Sequence, residues 1–400
     1  MSTLFLSSTR PCLILMPVEG AGMDVLDDFG ILRKSFLVIG IPFYGDTPRT
    51  SLTFVLKVLH EVLSTSYAVL GVLGCVLGYG VPTRSTLFQL TSSSLVLVLL
   101  WLRTYVCLSR TRLQKTVRRI QRLAQKEKIR YISKRRPLIF ACTISVAFPL
   151  SCTLPCVLFI IHNPEEFWLD TKTQAINTGS FTIGTKSNTE IVTLTMLMTA
   201  YTLHFFVVPT LCMTMFHFLY ATFQDALRQT IKHSRRRLTS SASTFDDAIR
   251  ATLSSAVRLS RVHQEVEDVT SPAVFILYVL VFINFLNLVA LASAETSLGV
   301  LRTLSCASAF AWTCGCFVRL TMRGSKLRDE SDALWTSLRR DAALCRRRGR
   351  QETSTMLLLS GASEGFRMTF TGWGVFELRP RLLLSMAGVF LSYGVVIATT

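Results

Sequence analysis

The sequence predicts an all-α membrane protein of seven transmembrane helices, with its N-terminus cytoplasmic and its C-terminus extracellular. Apolar stretches recur at 62–79, 87–108, 138–161, 191–218, 273–291, 298–318 and 382–398. Each is about long enough to cross a hydrocarbon core of ~30 Å as a helix. The gaps between them alternate in charge: 110–136 holds 12 Lys and Arg, 228–261 holds 8 and 323–367 holds 10, against 3 in all of 80–86, 162–190 and 292–297. Basic residues beside spans stay cytoplasmic, so the basic gaps are inside. Composition agrees, since 50% of the 400 residues are hydrophobic and 17% charged, with a mean hydropathy of +0.42.

Residues 1–61 form a cytoplasmic N-terminal region before the first span. Leu4, Phe5, Leu6 and the apolar run 13–16 are broken by Arg10, Pro11 and Pro17, which does not fit a cleaved signal peptide. In the first span, Gly71, Gly74 and Gly78 make a small-residue seam suited to helix packing. The inner loops, 109–137, 219–272 and 319–381, carry amphipathic patterns. Leu113, Val117, Ile120 and Leu123 recur at helical spacing among Arg112, Lys115, Arg118, Arg119 and Arg122, so the helices of spans two and three should continue into the cytoplasm.

The second inner loop opens with a basic, Ser-rich run over 233–243, read as a flexible turn. A helix is expected to start at Thr244, whose hydroxyl can cap it with Asp247 three residues on. Phe245, Ile249, Leu253, Val257 and Val262 give that helix one apolar stripe. Trp335, Leu338 and Ala342 do the same in the third loop beside Arg339 and Arg340. Such stripes must be buried against one another, a partner subunit or lipid; a cytoplasmic helical base is the preferred reading and a helix lying on the membrane the alternative.

The net charge of +18 is spread along loops beside spans, so acidic lipid headgroups rather than nucleic acid are its expected partners. None of the 11 Cys falls in an outer gap, and none of the Asn begins an Asn-X-Ser/Thr acceptor. Cys152/Cys156 and Cys314/Cys316 lie within apolar helices without nearby His or carboxylate partners and read as packing residues, and the six His form no metal-ligand spacing. Neither a metal nor a cofactor is expected. No nucleophile–base pair lies at a membrane face, so the chain is not read as an enzyme.

The last segment carries the sharpest signal. It runs Phe370-Thr-Gly-Trp-Gly-Val-Phe-Glu-Leu-Arg-Pro-Arg381, crosses the membrane once and stops at Thr400. This end resembles the signature of the arthropod gustatory receptors, F-[ST]-A-x-G-[FL]-F-x-[LV]-[DN] followed by a helix with T-Y, five hydrophobic residues and Q-F. Phe370, Thr371, Gly374, Phe376 and Leu378 match the first part. Ser392 and Tyr393 keep the hydroxyl and aromatic of the second, while Thr399 and Thr400 replace the Gln-Phe pair.

The resemblance implies a ligand-gated, non-selective cation channel, related to insect odorant receptors, in the plasma membrane of a sensory neuron. It would open on a small-molecule tastant, pass Na, K and Ca ions, and assemble as a homo- or heterotetramer with other such subunits. The seventh helix would line the pore, the inner loops would join the subunits, and the ligand would sit among the outer halves of the other helices. Within that helix Ser385, Ser392 and Thr399 are spaced seven apart and share a face suited to water. Back-bonding of these hydroxyls to the helix's own carbonyls is the competing reading. The implied gate falls on Val396, Thr399 and Thr400. With the bulky ring absent, closure rests on Val396 and Ile397 or on a partner subunit.

Positive-inside orientation puts Phe159, His162, Tyr201, His204, Phe282, Phe285 and Arg302 in the outer halves of spans three to six. Aromatic walls with a few polar groups suit a small-molecule pocket. Ordinary packing or lipid contact is the alternative for the apolar members. Arg302 can snorkel to the interface, pair with Glu295 or meet an anionic or hydroxyl-rich ligand. Two other classes are weaker: a G-protein-coupled receptor needs the C-terminus inside, against the charge count, and a secondary transporter should show internal repeats or mid-membrane carboxylates.

Overall fold

The structure, a computed structural model, describes residues 25–41, 43, parts of 54–69, 86–127, 131–162, 206–239, 245–292, 297–347 and 368–399. Within these, the described parts of 54–69 are helical, and the elements with described bounds are seven helices and one small hairpin. They are α1 (Val25–Val38), α2 (Thr86–Lys126), α3 (Arg135–His162), α4 (Val208–Thr239), α5 (Phe245–Ala292), α6 (Ser297–Arg347), strands β1 (Thr371–Gly372) and β2 (Phe376–Glu377), and α7 (Pro380–Thr399). By length and composition, the segments Ser93–Lys126 and Arg250–Val289 qualify as membrane-crossing helices among the described residues.

Apolar stretches and basic segments are joined in single long rods. Helix α2 runs from the second apolar stretch through the basic segment to Lys126, and α5 and α6 span 48 and 51 residues in the same way. The expected turn over 233–243 begins later than its Ser and Arg content suggests, because α4 stays helical to Thr239. Arg and Lys are good helix formers, so the basic half of that run extends the helix. The helix expected from Thr244 starts at Phe245, while Thr244 itself lies outside the described residues.

The basic ends pack on one another. The stripe expected on α2 is buried, with Leu113, Val117, Ile120 and Leu123 each at most 4% exposed. Its principal partner is α5, and α4 pairs with α6. The stripe expected on α5 holds in part: Val262 is buried and Leu253 packs partly buried on the core, while the side chains of Phe245 and Ile249 lie outside the described set. Val257, however, is 42% exposed, and beside Val262 the buried face carries Ala248, Thr252, Ser255, Ala256, Leu259 and Val266. Small and hydroxyl side chains let two long helices approach closely, and Thr252 keeps its hydroxyl satisfied by donating to the Ala248 carbonyl at 2.8 Å.

Charge is paired across these ends. The Glu127 carboxylate is buried and accepts from Ser255 at 2.9 Å and from Arg258 at 2.6 Å. Lys134 pairs with Asp225 at 2.6 Å, Arg119 with Glu265, and Arg228 with Glu330. Burial pulls the Lys134 ammonium below its ordinary value, while Asp225 favours its charged form.

Helix α1 lies in the region for which the sequence suggests no element. Its signal is nevertheless readable: Val25, Phe29, Leu32 and Phe36 recur at helical spacing and are all at most 2% exposed. The helix packs on α2, α3 and α4. Asp28, 1% exposed, ties it to the start of α3. Its carboxylate accepts from the Tyr131 hydroxyl at 2.7 Å, the Ser133 hydroxyl at 3.1 Å and the Lys134 N–H at 2.6 Å. Ser133 in turn accepts from the Arg135 N–H at 3.3 Å, so α3 is capped by a pair of oxygens at its N-terminus. Burial, then Asp28, holds the Tyr131 phenol well above its usual range, so it remains a donor.

Candidate functional site

The signature segment 370–378 forms a hairpin that docks on α5 and delivers the chain to α7. Helix α5 contains Pro272, which lacks an N–H and so frees the carbonyl of Asp268. The Tyr105 hydroxyl from α2 reaches the carbonyls of Asp268 at 3.5 Å and Val269 at 3.0 Å. On the same turn of α5, Ser271 takes the hairpin. Its hydroxyl accepts from the Trp373 N–H at 2.6 Å, and its carbonyl lies 3.1 Å from that same nitrogen. One turn earlier, the Glu267 carboxylate accepts from the Thr371 N–H at 2.8 Å and from the Thr371 hydroxyl.

The hairpin's own geometry explains its glycines. Thr371 pairs with Glu377 and Gly372 with Phe376. The turn residues Trp373 and Gly374 have φ of 49° and 70°, the left-handed values that a mirror-image turn requires. Gly372 stands where the resembled signature has Ala, and a Cβ there would lie 2.3 Å from the Phe376 ring. The ring folds over the bare backbone.

Aromatic packing fixes the hairpin on both sides. Phe370 is 1% exposed and stacks on Tyr220 of α4 at 3.7 Å, with His263 of α5 at 5.2 Å. Trp373 meets Trp101 of α2 at 5.9 Å and Phe275 at 5.6 Å. Leu378 packs over Gly324 of α6, where a Cβ would come within 2.7 Å of it. Glu377 binds Arg328 of α6 at 2.7 Å and also Arg379. One nine-residue segment thus touches α2, α4, α5 and α6 immediately before α7.

Two buried groups beside it have displaced proton affinities. Burial pushes the Glu267 carboxyl up to about 7, against hydrogen bonds from Thr371 and Ser271. Burial holds the His263 imidazole down to about 4. Between the ordinary carboxyl value of 4.5 and the ordinary imidazole value of 6.5, the folded chain carries an extra proton at Glu267 and lacks one at His263. The two effects on stability therefore oppose each other. With Glu267→Gln only the His263 effect remains, and stability should rise with pH through that window relative to the parent. Unfolding temperatures of the solubilised protein at about pH 5 and pH 6.5 check this. Superimposable profiles for parent and variant would show that Glu267 does not titrate there.

Helix α7 leans on the bundle through Leu382, Leu383, Met386 and Phe390, and most of its other described residues are exposed. Ser385 and Ser392 lie on the open side, with Leu384 at 73%, Leu391 at 72% and Val395 at 62% exposure. Their hydroxyls donate to the carbonyls of Arg381 at 3.1 Å and Gly388 at 2.9 Å. Val396, Ile397 and Thr399 belong to α7, but their side chains lie outside the described set, as does Thr400 altogether.

Of the residues expected around a ligand, Phe282 and Phe285 come together against α7. Phe285 stacks on Phe390 at 4.3 Å, and Phe282 meets Phe390 at 6.1 Å and Tyr393 at 6.2 Å. Phe159 and Arg302 lie on α3 and α6 with undescribed side chains, and Tyr201 and His204 fall outside the described residues. A cavity of about 70 Å³ lies elsewhere, between α3, α4 and α6, lined in part by Phe140, Ser145, His217, Trp312 and Arg319. The sequence carried no sign of Glu267, Ser271 and Tyr220 as hairpin partners, since they sit some 100 residues or more from the segment they hold.

No protein-family profile and no curated protein matches this sequence. Solved structures do. The insect olfactory receptor OR5 from Machilis hrabei in complex with eugenol superimposes with a TM-score of 0.64 at 16% identity, covering 94% of this chain and 97% of that one. A second structure of OR5 gives 0.66 at 15% identity, over 93% and 98%. At that level of identity what is shared is the path of the chain, and over almost its whole length this protein has the fold of an insect olfactory receptor.

Proposed function

We propose that this chain is a subunit of a chemosensory receptor channel of the gustatory type, a ligand-gated, non-selective cation channel opened by a small-molecule tastant. Helix α7 carries the reading. Among the described residues it exposes a continuous face that alternates Leu384, Leu391 and Val395 with Ser385 and Ser392, a surface that a single chain leaves uncovered. Four such helices around an axis would cover their apolar residues on one another and turn small hydroxyls to water. The fold shared with OR5, and the eugenol complex of that receptor, support binding of a small molecule by this arrangement. The N-terminus then lies inside and the C-terminus outside, in a plasma membrane that each subunit crosses seven times.

The hairpin gives the proposal a mechanical link. It grips α2, α4, α5 and α6 through Trp373, Phe370, Glu267 and Leu378, and it ends only two residues before α7 begins. Movement of the helices around a ligand can therefore reach α7 through it. In the outer half, Phe282, Phe285, Phe310 and Phe390 form a second contact between α5, α6 and α7.

Tagging and current measurement test this together. On intact cells an epitope after Thr400 should be seen and one before Met1 should not. Cysteine placed at Ser385 or Ser392 should make agonist-evoked current sensitive to a charged thiol reagent, whereas cysteine at Val257, on an exposed face of α5, should not. Current untouched at both α7 positions would remove α7 from the pore. An exposed N-terminal tag would overturn the topology.

A further inference from the structure

We propose that the cavity between α3, α4 and α6 binds the phosphate of an anionic phospholipid headgroup. The inference rests on the membrane reading above, and its residues belong neither to the hairpin nor to α7. The wall carries the Arg319 guanidinium and the His217 imidazole. Both sit where apolar stretches end: Arg319 directly follows 298–318, and His217 is the last residue but one of 191–218. That is the depth of a headgroup on the basic side of the protein.

The pairing of charges sets Arg319 apart from its neighbours. Lys134 is bound to Asp225 and Arg228 to Glu330. Among the described residues no carboxylate pairs with Arg319, and the His217 imidazole adds an N–H donor beside it. An arginine without a carboxylate partner between apolar helices favours an anion. A donor is waiting as well. The Trp312 indole Nε1 is buried in the wall without a hydrogen-bond partner among the described residues, and a buried donor of that kind calls for an acceptor.

The flank of the cavity favours a lipid over a soluble phosphate. Phe140 in its wall is 67% exposed, the neighbouring Ile139 44%, and Phe148, which packs on Trp312 at 5.0 Å, 38%. Acyl chains can lie along this apolar surface while phosphate oxygens meet Arg319, His217 and the indole N–H.

The full-length protein, purified in detergent and titrated with phosphatidylserine or phosphatidylcholine, provides the test by native mass spectrometry. Retention of phosphatidylserine should exceed that of phosphatidylcholine, and the double variant Arg319→Gln, His217→Gln should lower it roughly tenfold. Trp312→Phe removes the N–H while keeping the ring, and should lower retention a few-fold. Lys232→Gln, a cation away from the cavity, should change nothing. Equal retention by parent and both cavity variants would overturn the proposal. So would displacement of phosphatidylserine by glycerophosphoserine at matching concentration, which would assign the site to a soluble phosphate. The measurement needs neither agonist nor current, so it can fail while the channel reading stands, and the reverse.

Discussion

Replacing Phe370 with alanine is expected to destabilise the protein by about 3–5 kcal/mol, the cost of deleting a fully buried aromatic ring. The ring is 1% exposed and contacts Tyr220, Phe223 and His263, so its loss opens a cavity where α4, α5 and the hairpin meet. These neighbours cannot readily collapse into the space. Tyr220 is tied through its hydroxyl to Thr270 at 3.2 Å, and both it and Phe223 are themselves completely buried. Phe370→Leu keeps most of the volume and should lose much less. Thermal unfolding of the solubilised variants reads the difference, and a drop for alanine no larger than that for leucine would show that the hairpin is not a buried anchor. In cells, the alanine variant should also show weaker agonist responses per surface channel than the leucine variant, because the segment that leads into α7 has lost its grip.

Asp28→Ala should cost on the order of 3 kcal/mol or more, since a buried carboxylate that accepts three hydrogen bonds leaves three donors without it. Among those donors the Lys134 N–H matters most, because it stands at the start of α3, where an unpaired backbone group weakens the helix. Asp28→Asn retains the shape and one acceptor and should fall between parent and alanine. Limited proteolysis offers a local readout: cleavage in 128–134 should become faster in the alanine variant than in the parent. Unchanged stability and unchanged cleavage would mean that α1 is held by its apolar face alone.

The two sites differ in how they relate to the sequence. Phe370 is legible as part of a signature, and its burial follows from that segment being an anchor. Asp28 is not, although the helix that carries it could have been found from Val25, Phe29, Leu32 and Phe36. A lone Asp in an amphipathic helix looks like any surface charge until α3 is brought against it.

What the sequence by itself determined, among the described residues, is the long helices that carry the second to the seventh apolar stretch and the alternation of charge between them. Apolar runs near bilayer length and a 3.6-residue stripe such as Leu113, Val117, Ile120 and Leu123 are local properties, written into adjacent residues. The tertiary structure alone decided which face of α5 is buried, because Ala248, Thr252, Ser255 and Ala256 are inside for closeness of approach and not for hydrophobicity. It also decided what holds the hairpin. Glu267, Ser271, Tyr220 and Thr371 meet across about 100 residues or more of chain, through hydrogen bonds and ring contacts whose worth depends on distances that no periodicity encodes. Local patterns specify local structure; a buried carboxylate, an orphaned indole or a turn that needs left-handed residues gains its meaning only from what the folded chain places beside it.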